Sequence, residues 1–378
     1  MTDGAKRVRL TTLASPDHRL TALNLSRMTP RERFSYAARL AIAYALYYAG
    51  VLQVIVSVRL RRKAVVLAYH RVLTPEQRVR TASQDGMVVE DRTFARHVAL
   101  LARRFKVLSL DEFTARVTNR LPFDGPCCLI TFDDGWRDNV ENALPVLRAH
   151  RLPAVMFLPV NFIGRRRLFT REALTHLLVR AVEVSRREPA RRDALRAHLA
   201  PLDLGAVLDV SDRDPLPAVL KIVGSHRYAS GPAFEALEAT LAAELGVDAA
   251  DVSELDTFID WQQVEQLGQH RFAFGGHGAE HRVLTRVTPS VARCEVEMSK
   301  RELDSRLARG VEAFAYPNGA WNPEIAHIVR TGGYRFAFTV DPGPVGCEDD
   351  PLSLRRINIH EDMTRSTPMF MARLAGIF

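Results

Sequence analysis

Pro126–Trp136 reads PCCLITFDDGW, a short apolar run that stops at two aspartates and a glycine. Apolar side chains at successive positions, rather than alternate ones, predict a strand covered on both faces, as in a parallel sheet. Gly135 lets the chain turn at once, so both carboxylates fall at the strand's C-terminal end. Working outward, the same apolar-to-polar run recurs. Lys63–Val72 (KAVVLAYHRV) delivers Tyr69 and His70 to its end, and Leu152–Gly164 (LPAVMFLPVNFIG) follows. Phe272–His281 (FAFGGHGAEH), Val311–Asn322 (VEAFAYPNGAWN), Tyr334–Asp341 (YRFAFTVD) and Leu354–Asp362 (LRRINIHED) complete the series. Helical spacing lies between these runs. In Asp91–Phe113, apolar residues fall at Phe94, Val98, Leu101 and Phe105 with Asp91 as candidate cap, and Asn142–Arg151 and Asp260–Gln269 also predict helices. Strand and helix in alternation predict parallel α/β architecture, whose active sites sit at the C-terminal strand ends and converge when the sheet closes.

The chain has 378 residues, 47% of them apolar and 25% charged. This excludes wholesale disorder, collagen and coiled coil. Between about 165 and 257 the pattern loosens into arginine- and alanine-rich helices broken by Pro189, Pro201, Pro215, Pro217 and Pro232, a helical insertion because strands resume after it. Its histidines, His176, His198 and His226, are expected at the surface. Residues 63–378 thus form the main domain and 1–62 a basic N-terminal extension. Within that extension Leu40–Val58 carries no charge over 19 residues. As one helix it would reach about 28 Å, near the bilayer's hydrocarbon thickness. Arg31, Arg33 and Arg39 precede it, Arg59, Arg61, Arg62 and Lys63 follow, and its tyrosines suit an interface. It is expected to lie on a membrane rather than cross one.

Basic residues exceed acidic ones, 52 to 44, for a net charge of +8, and only five of the basic residues are lysine. The surface favours anionic partners, but no nucleic-acid module is present, so nucleic acid is not an expected partner. Cys127 and Cys128 are adjacent and Cys294 and Cys347 isolated, with no CxxC pair, which predicts a reducing compartment. Met1–Pro30 is polar and arginine-dotted, so no cleavable export signal is expected and the location is cytoplasmic, at or near the inner membrane.

Two adjacent carboxylates repel, so a cation is the natural partner of the Asp133–Asp134 pair, and one of the two can keep a basic role. His277 and His281 stand four apart in a turn rich in glycine (Gly275, Gly276, Gly278). One aspartate and two histidines make a facial set for zinc or a related divalent ion with positions left open. Taken singly, an Asp-Asp pair reads as a turn or cap, and HxxxH without a glutamate is a weak motif. Together, on strand ends of one sheet, they carry weight.

At this point the sequence resembles the NodB-homology polysaccharide deacetylases, a carbohydrate esterase family, in its exopolysaccharide-associated branch. The matching stretches are LAYHRV (Leu67–Val72), TFDDGW (Thr131–Trp136), AVMFLPVNFIG (Ala154–Gly164), GGHGAEH (Gly275–His281), FAYPNG (Phe314–Gly319) and DPLSLRRINI (Asp350–Ile359). The resemblance implies a distorted (β/α)7 barrel and the hydrolytic removal of N-acetyl groups from acetamido sugars. It implies Asp133 as general base, Asp134, His277 and His281 as metal ligands, and the backbone N–H of Tyr316 as oxyanion donor. His360 on the last strand is the candidate general acid, and His70, Trp136, Pro317 and Asn318 are candidate substrate contacts. The implied cofactor is a divalent metal, zinc first, with cobalt or nickel as alternatives. Two positions depart from the family. Ala315 stands where an arginine often orients the catalytic aspartate, leaving Arg355 or Arg356 to supply that charge, and Gly278 stands where a hydroxyl residue often stiffens the histidine loop. The expected substrate is an N-acetylated glycan of a bacterial polysaccharide or a lipid-linked saccharide. A silent carbohydrate-binding protein of this fold, or an O-deacetylase or deformylase, are the alternatives.

Overall fold

The computed structural model describes residues 30–225, 231–247 and 253–378; residues 1–29 and His226 lie outside the described residues. Its strands are β1 (Ala64–Tyr69), β2 (Arg71–Leu73), β3 (Val88–Glu90), β4 (Lys106–Val107), β5 (Cys127–Phe132), β6 (Ala154–Leu158), β7 (Phe272–Gly276), β8 (Ala313–Ala315), β9 (Phe336–Phe338) and β10 (Ile357–Asn358). The main sheet runs β10-β1-β5-β6-β7-β8-β9, with β4 on β5, and its ladders are parallel. A parallel bridge from Phe338 to Leu354 brings the residues just before β10 against β9, while β10 itself pairs with β1. One short segment thus spans both edges and curls the sheet into a distorted (β/α) barrel. β2 and β3 form a separate parallel pair.

Side chains alternate across each strand. Ala64, Val66, Cys127, Leu129, Val155, Phe157, Ala313, Ala315, Phe336, Phe338 and Leu354 fill the barrel interior. Their neighbours Val65, Leu67, Tyr69, Cys128, Ile130, Phe132, Met156 and Leu158 pack outward under the helices. Strands buried on both faces explain the unbroken apolar runs of the sequence. Close packing also explains one glycine. A Cβ on Gly275 would lie 2.6 Å from both the Ala313 carbonyl and the Phe157 ring, so only glycine fits there.

Three helical expectations shift. The helix read over Asp91–Phe113 stops at Arg104, where β4 follows and a second helix begins at Leu110, and Glu90 rather than Asp91 holds the cap position. The Asn142–Arg151 helix begins earlier, as a π-helical turn over Asn139–Ala143 that runs into Leu144–His150. The apolar Leu40–Val58 stretch is not one helix. Pro30–Tyr48 ends at a left-handed Gly50 (φ 75°), and Val51–Arg59 leaves at 83°. Among the described residues no single helix is long and apolar enough to cross a membrane. Ala43, Leu52 and Val56 are buried, and Arg59 Nη1 donates to the Ala375 carbonyl (2.7 Å) in the C-terminal helix Thr367–Ala375.

The insertion consists of helices Thr170–Arg187, Arg192–Leu199, Leu216–Ser225 and Pro232–Leu245 around an apolar cluster of its own, including Leu178, Leu195, Val219 and Leu241. A buried polar knot ties it to the barrel. Asp256 accepts from Arg71 Nη1, Thr81 Oγ1 and the Ala82 N–H, and pairs with His176 Nε2 at 2.9 Å. His176 is therefore a half-buried anchor, not the surface residue its arginine-rich surroundings suggested. His198 is half-buried.

Candidate active site at the barrel mouth

Inward alternation carried past the strand ends determines which side chains meet. In β1 it runs Ala64, Val66, Ala68 and then His70; in β5 Cys127, Leu129, Thr131 and then Asp133. In β7 it passes Ala273 and Gly275 to reach His277, and before β10 it passes from Leu354 to Arg356. These four side chains line the top of one interior.

Asp133 is 2% exposed and Arg356 fully buried. Arg356 grips the carboxylate with both prongs, Nη1 to Oδ1 at 2.7 Å and Nη2 to Oδ2 at 2.7 Å, and its Nε donates to the Thr339 carbonyl at 2.9 Å. Burial alone would raise the Asp133 pKa, but the guanidinium outweighs it and holds the carboxyl below the usual range. Of the two arginines left open by Ala315, the structure selects Arg356, while Arg355 is exposed. His70 Nε2 lies 3.8 Å from Asp133 Oδ2, and burial lowers its pKa.

Asp134 turns the other way because its φ is 74°, followed by Gly135 at 72°. Among the described residues, three of the seven non-glycine residues with positive φ are Asp134, His281 and Asn318, which concentrates backbone strain at the mouth. Asp134 Oδ2 accepts from Trp136 Nε1–H at 3.0 Å. Its Oδ1 is buried and has no hydrogen-bond partner, yet faces His277 Nε2 at 3.4 Å and His281 Nε2 at 3.3 Å. His277 Nδ1 must be the donor to the Ala315 carbonyl (2.7 Å), so its neutral ring would present a lone pair on Nε2; against its burial, Asp134 and Asp133 raise its pKa, a proton that a bound cation would displace. His281 stacks on Phe169 (4.3 Å between ring centres), and burial pulls its pKa down to about 4, so it is neutral at pH 7. The ligand atoms of this triad lie within 4.8 Å of one another. Two imidazole lone pairs and an orphaned carboxylate oxygen converging in a buried pocket fit a divalent cation.

The histidine loop has its own brace. A Cβ on Gly278 would sit 2.9 Å from Glu295 Oε2. That oxygen accepts from the Ala279 N–H (2.9 Å) and the Glu280 N–H (2.8 Å), so a buried glutamate does the stiffening a hydroxyl does elsewhere. Nothing local in the sequence marks Glu295, which comes from the helix Pro289–Arg306. Glu172, at the start of the insertion's first helix, was likewise unmarked. It lines the same cleft as Asp134, His281 and Asn318, and burial raises its pKa to about 8.

Four expected roles change. The Tyr316 N–H donates to the Phe338 carbonyl at 3.0 Å, completing the β8–β9 ladder, and is not free for an oxyanion. Asn318, two residues on, is exposed in the cleft with φ 55°. Trp136 is fully buried, stacked on Phe258 (4.4 Å) beneath the Arg71 guanidinium (4.3 Å), so it positions Asp134 instead of touching substrate. Pro317 is also buried. His360 caps the short helix Glu361–Thr364, and the charges acting on it are Asp362, Arg373, Asp85 and Arg78, none of them in the mouth.

Comparison with known proteins agrees with this geometry. The sequence model described as polysaccharide deacetylase matches residues 120–185 and 205–337. YxkH of Bacillus subtilis (strain 168), whose name is that of a polysaccharide deacetylase, is 19% identical over 305 residues, 80% of this chain and 74% of that protein. The structure of IcaB from Ammonifex degensii superposes with a TM-score of 0.52 at 17% identity, covering 83% of this chain and 97% of that one. The deacetylase PplD of Streptococcus pyogenes, solved with acetate, gives 0.50 at 18% identity, covering 80% and 94%. These two structures share the fold.

Proposed function

The chain belongs to the polysaccharide deacetylase family, hydrolases of carbon–nitrogen bonds, and on that premise we propose that it removes the N-acetyl group of an acetamido sugar in a metal-dependent reaction. The carrying observation is the buried Asp134 Oδ1, without a hydrogen-bond partner between two imidazole nitrogens, beside a second aspartate fixed by an arginine. Asp134, His277 and His281 would hold the ion, and their mixed nitrogen and oxygen set suits zinc, with cobalt or nickel as alternatives. Such an ion supplies Lewis acidity towards the acyl oxygen and the attacking water.

The chain's own residues supply the rest. Asp133 accepts the proton of the attacking water, its carboxylate oriented by the Arg356 fork. Each carboxylate oxygen keeps a lone pair after that grip. The Asn318 backbone N–H, beyond the end of the β8–β9 ladder, donates to the developing oxyanion. His70, beside Asp133 and open to the mouth, carries a proton to the departing amine. A silent binding protein was suggested by the missing arginine at Ala315, and the Arg356 pair removes that motive.

The substrate is a unit of a bacterial polysaccharide or of a lipid-linked saccharide, and the location the cytoplasmic side of the inner membrane. The barrel with its insertion, 63–378, would be the catalytic domain and 1–62 the extension. The test is acetate release from chitooligosaccharides and from lipid-linked acetamido sugars by zinc-loaded protein. The wild type should release acetate and Asp133→Asn should not. Release of formate or of O-linked acetate alone would favour those alternatives.

A further inference from the structure

A cleft of about 1060 Å³ opens from the metal triad and runs between the barrel rim and the insertion. That exceeds the pocket of about 300–1,000 Å³ that a drug-sized ligand occupies, so it holds more than one sugar ring. The triad end is polar. Beyond it charged side chains such as Glu235, Glu238 and Arg286 alternate with an aliphatic strip, Ala239 on the helix Pro232–Leu245 facing Val287 and Val291 on the rim. Sugar rings bind to exposed aromatic faces, but Phe162 and Phe169 are 2% and 9% exposed, Phe162 covered by the Arg167 guanidinium and Phe169 stacked on His281. Among the cleft's arginines Arg167 and Arg282 are paired with Glu280 and Glu235, and Glu172 and Glu238 line it as well, so its charge is mixed and does not favour a polyanion.

A second feature stands apart from the cleft. On the bent N-terminal helices Phe34, Ile42, Tyr48, Val51, Val54 and Val58 are 39–78% exposed, while the opposite face packs against the C-terminal helix. Arg31, Arg61, Arg62 and Lys63, all exposed, bracket this surface. An apolar face bracketed by cations matches an anionic bilayer surface.

We propose that the substrate is a lipid-linked acetamido saccharide taken from an anionic membrane, with its sugar at Asp134, His277 and His281 and the start of its aliphatic chain along Ala239, Val287 and Val291. The proposal rests on the deacetylase reading and narrows its substrate. The amide C–N bond breaks, water supplies the hydroxyl, and acetate and a lipid-linked amine leave; the lipid linkage itself is untouched.

The test compares specificity constants of the zinc-loaded full chain for two probes, free N-acetylglucosamine oligomers and a dodecyl N-acetylglucosaminide. The alkyl probe should be favoured about tenfold or more, the effect of burying about two methylenes. Ala239→Asp, at an exposed position, and Val287→Asp should both collapse that ratio. Equal turnover of the two probes, or a preference that survives both substitutions, overturns the lipid proposal and leaves the deacetylase reading standing. Acetate from neither probe overturns both. In parallel, the chain should sediment with phosphatidylglycerol vesicles more than with phosphatidylcholine, and Tyr48→Ser/Val54→Ser/Val58→Ser should abolish this. Equal sedimentation of that variant refutes the membrane surface.

Discussion

Replacing Arg356 by Met keeps much of the side chain's volume but deletes the fork on Asp133. Two charge-assisted hydrogen bonds of 2.7 Å disappear, leaving a carboxylate that is 2% exposed without its counter-charge. Breaking one side of such a buried pair costs about 3–5 kcal/mol, which for a chain of this size lowers Tm by roughly 4–6 °C. The catalytic effect is separable from this loss. Arg356 is fully buried and cannot touch substrate, so KM should stay within about threefold while kcat falls about 10²–10⁴-fold, the usual worth of a positioned base. Arg356→Lys retains charge without the fork and should fall between. The assay is steady-state acetate release by folded, metal-loaded protein at a temperature below the variant's transition. A double-mutant cycle with Asp133→Asn should show strong coupling, because the arginine acts only through that aspartate. The reasoning is refuted if folded Arg356→Met keeps kcat within about threefold, or if its loss falls wholly in KM, as a phosphate-binding arginine would behave.

Trp136→Phe keeps the ring stacked on Phe258 but deletes the donor to Asp134 Oδ2; metal affinity by competition with a chelator should fall about 10–100-fold. Glu295→Met strands the Ala279 and Glu280 N–H groups, so Tm should drop by an amount equivalent to about 2 kcal/mol or more and the histidine loop should bind metal more weakly. His97 is buried and neutral, donating from Nε2 to the Thr364 carbonyl (2.8 Å) while its Nδ1 faces the Tyr69 hydroxyl (3.2 Å), and burial lowers its pKa to about 3. The unfolded chain therefore binds the extra proton between about pH 6.5 and 3, and stability should fall with pH across that window by roughly 1 kcal/mol per unit. His97→Gln should flatten this part of a urea-unfolding profile.

Most of the barrel was legible because its longer strands announce themselves as apolar runs that end in polar residues; β4, two residues long, was hidden inside the Asp91–Phe113 helical pattern. The clustering of Asp134, His277 and His281 was legible because they flank glycines at two such ends. What escaped depended on local turns. Strand alternation from Leu354 points to Arg356 over Arg355, a signal present in the sequence once the strand's phase is known. Tyr316 fails as the expected oxyanion donor because the β8–β9 ladder runs one residue past the strand and occupies its N–H. His360 looked like the last strand's contribution, but β10 is only two residues long and its end belongs to a helix cap. The histidine at the mouth came from β1 instead. Trp136 follows a glycine at φ 72° that folds it back beneath Asp134, a conformation that composition does not show. The bend at Gly50 broke an apolar run that, read linearly, matched a bilayer's thickness.

The central claim is that a divalent ion on Asp134, His277 and His281 works with Asp133 to hydrolyse an acetamide. Its most direct measurement is acetate release per mole of bound metal, followed as the protein is stripped with chelator and reloaded with zinc. Activity should vanish on stripping, return in proportion to about one zinc per chain, and be absent in Asp133→Asn loaded with the same metal. Acetate release that persists in the stripped protein, or that is absent from all acetamido sugars tried with one metal bound, would contradict it.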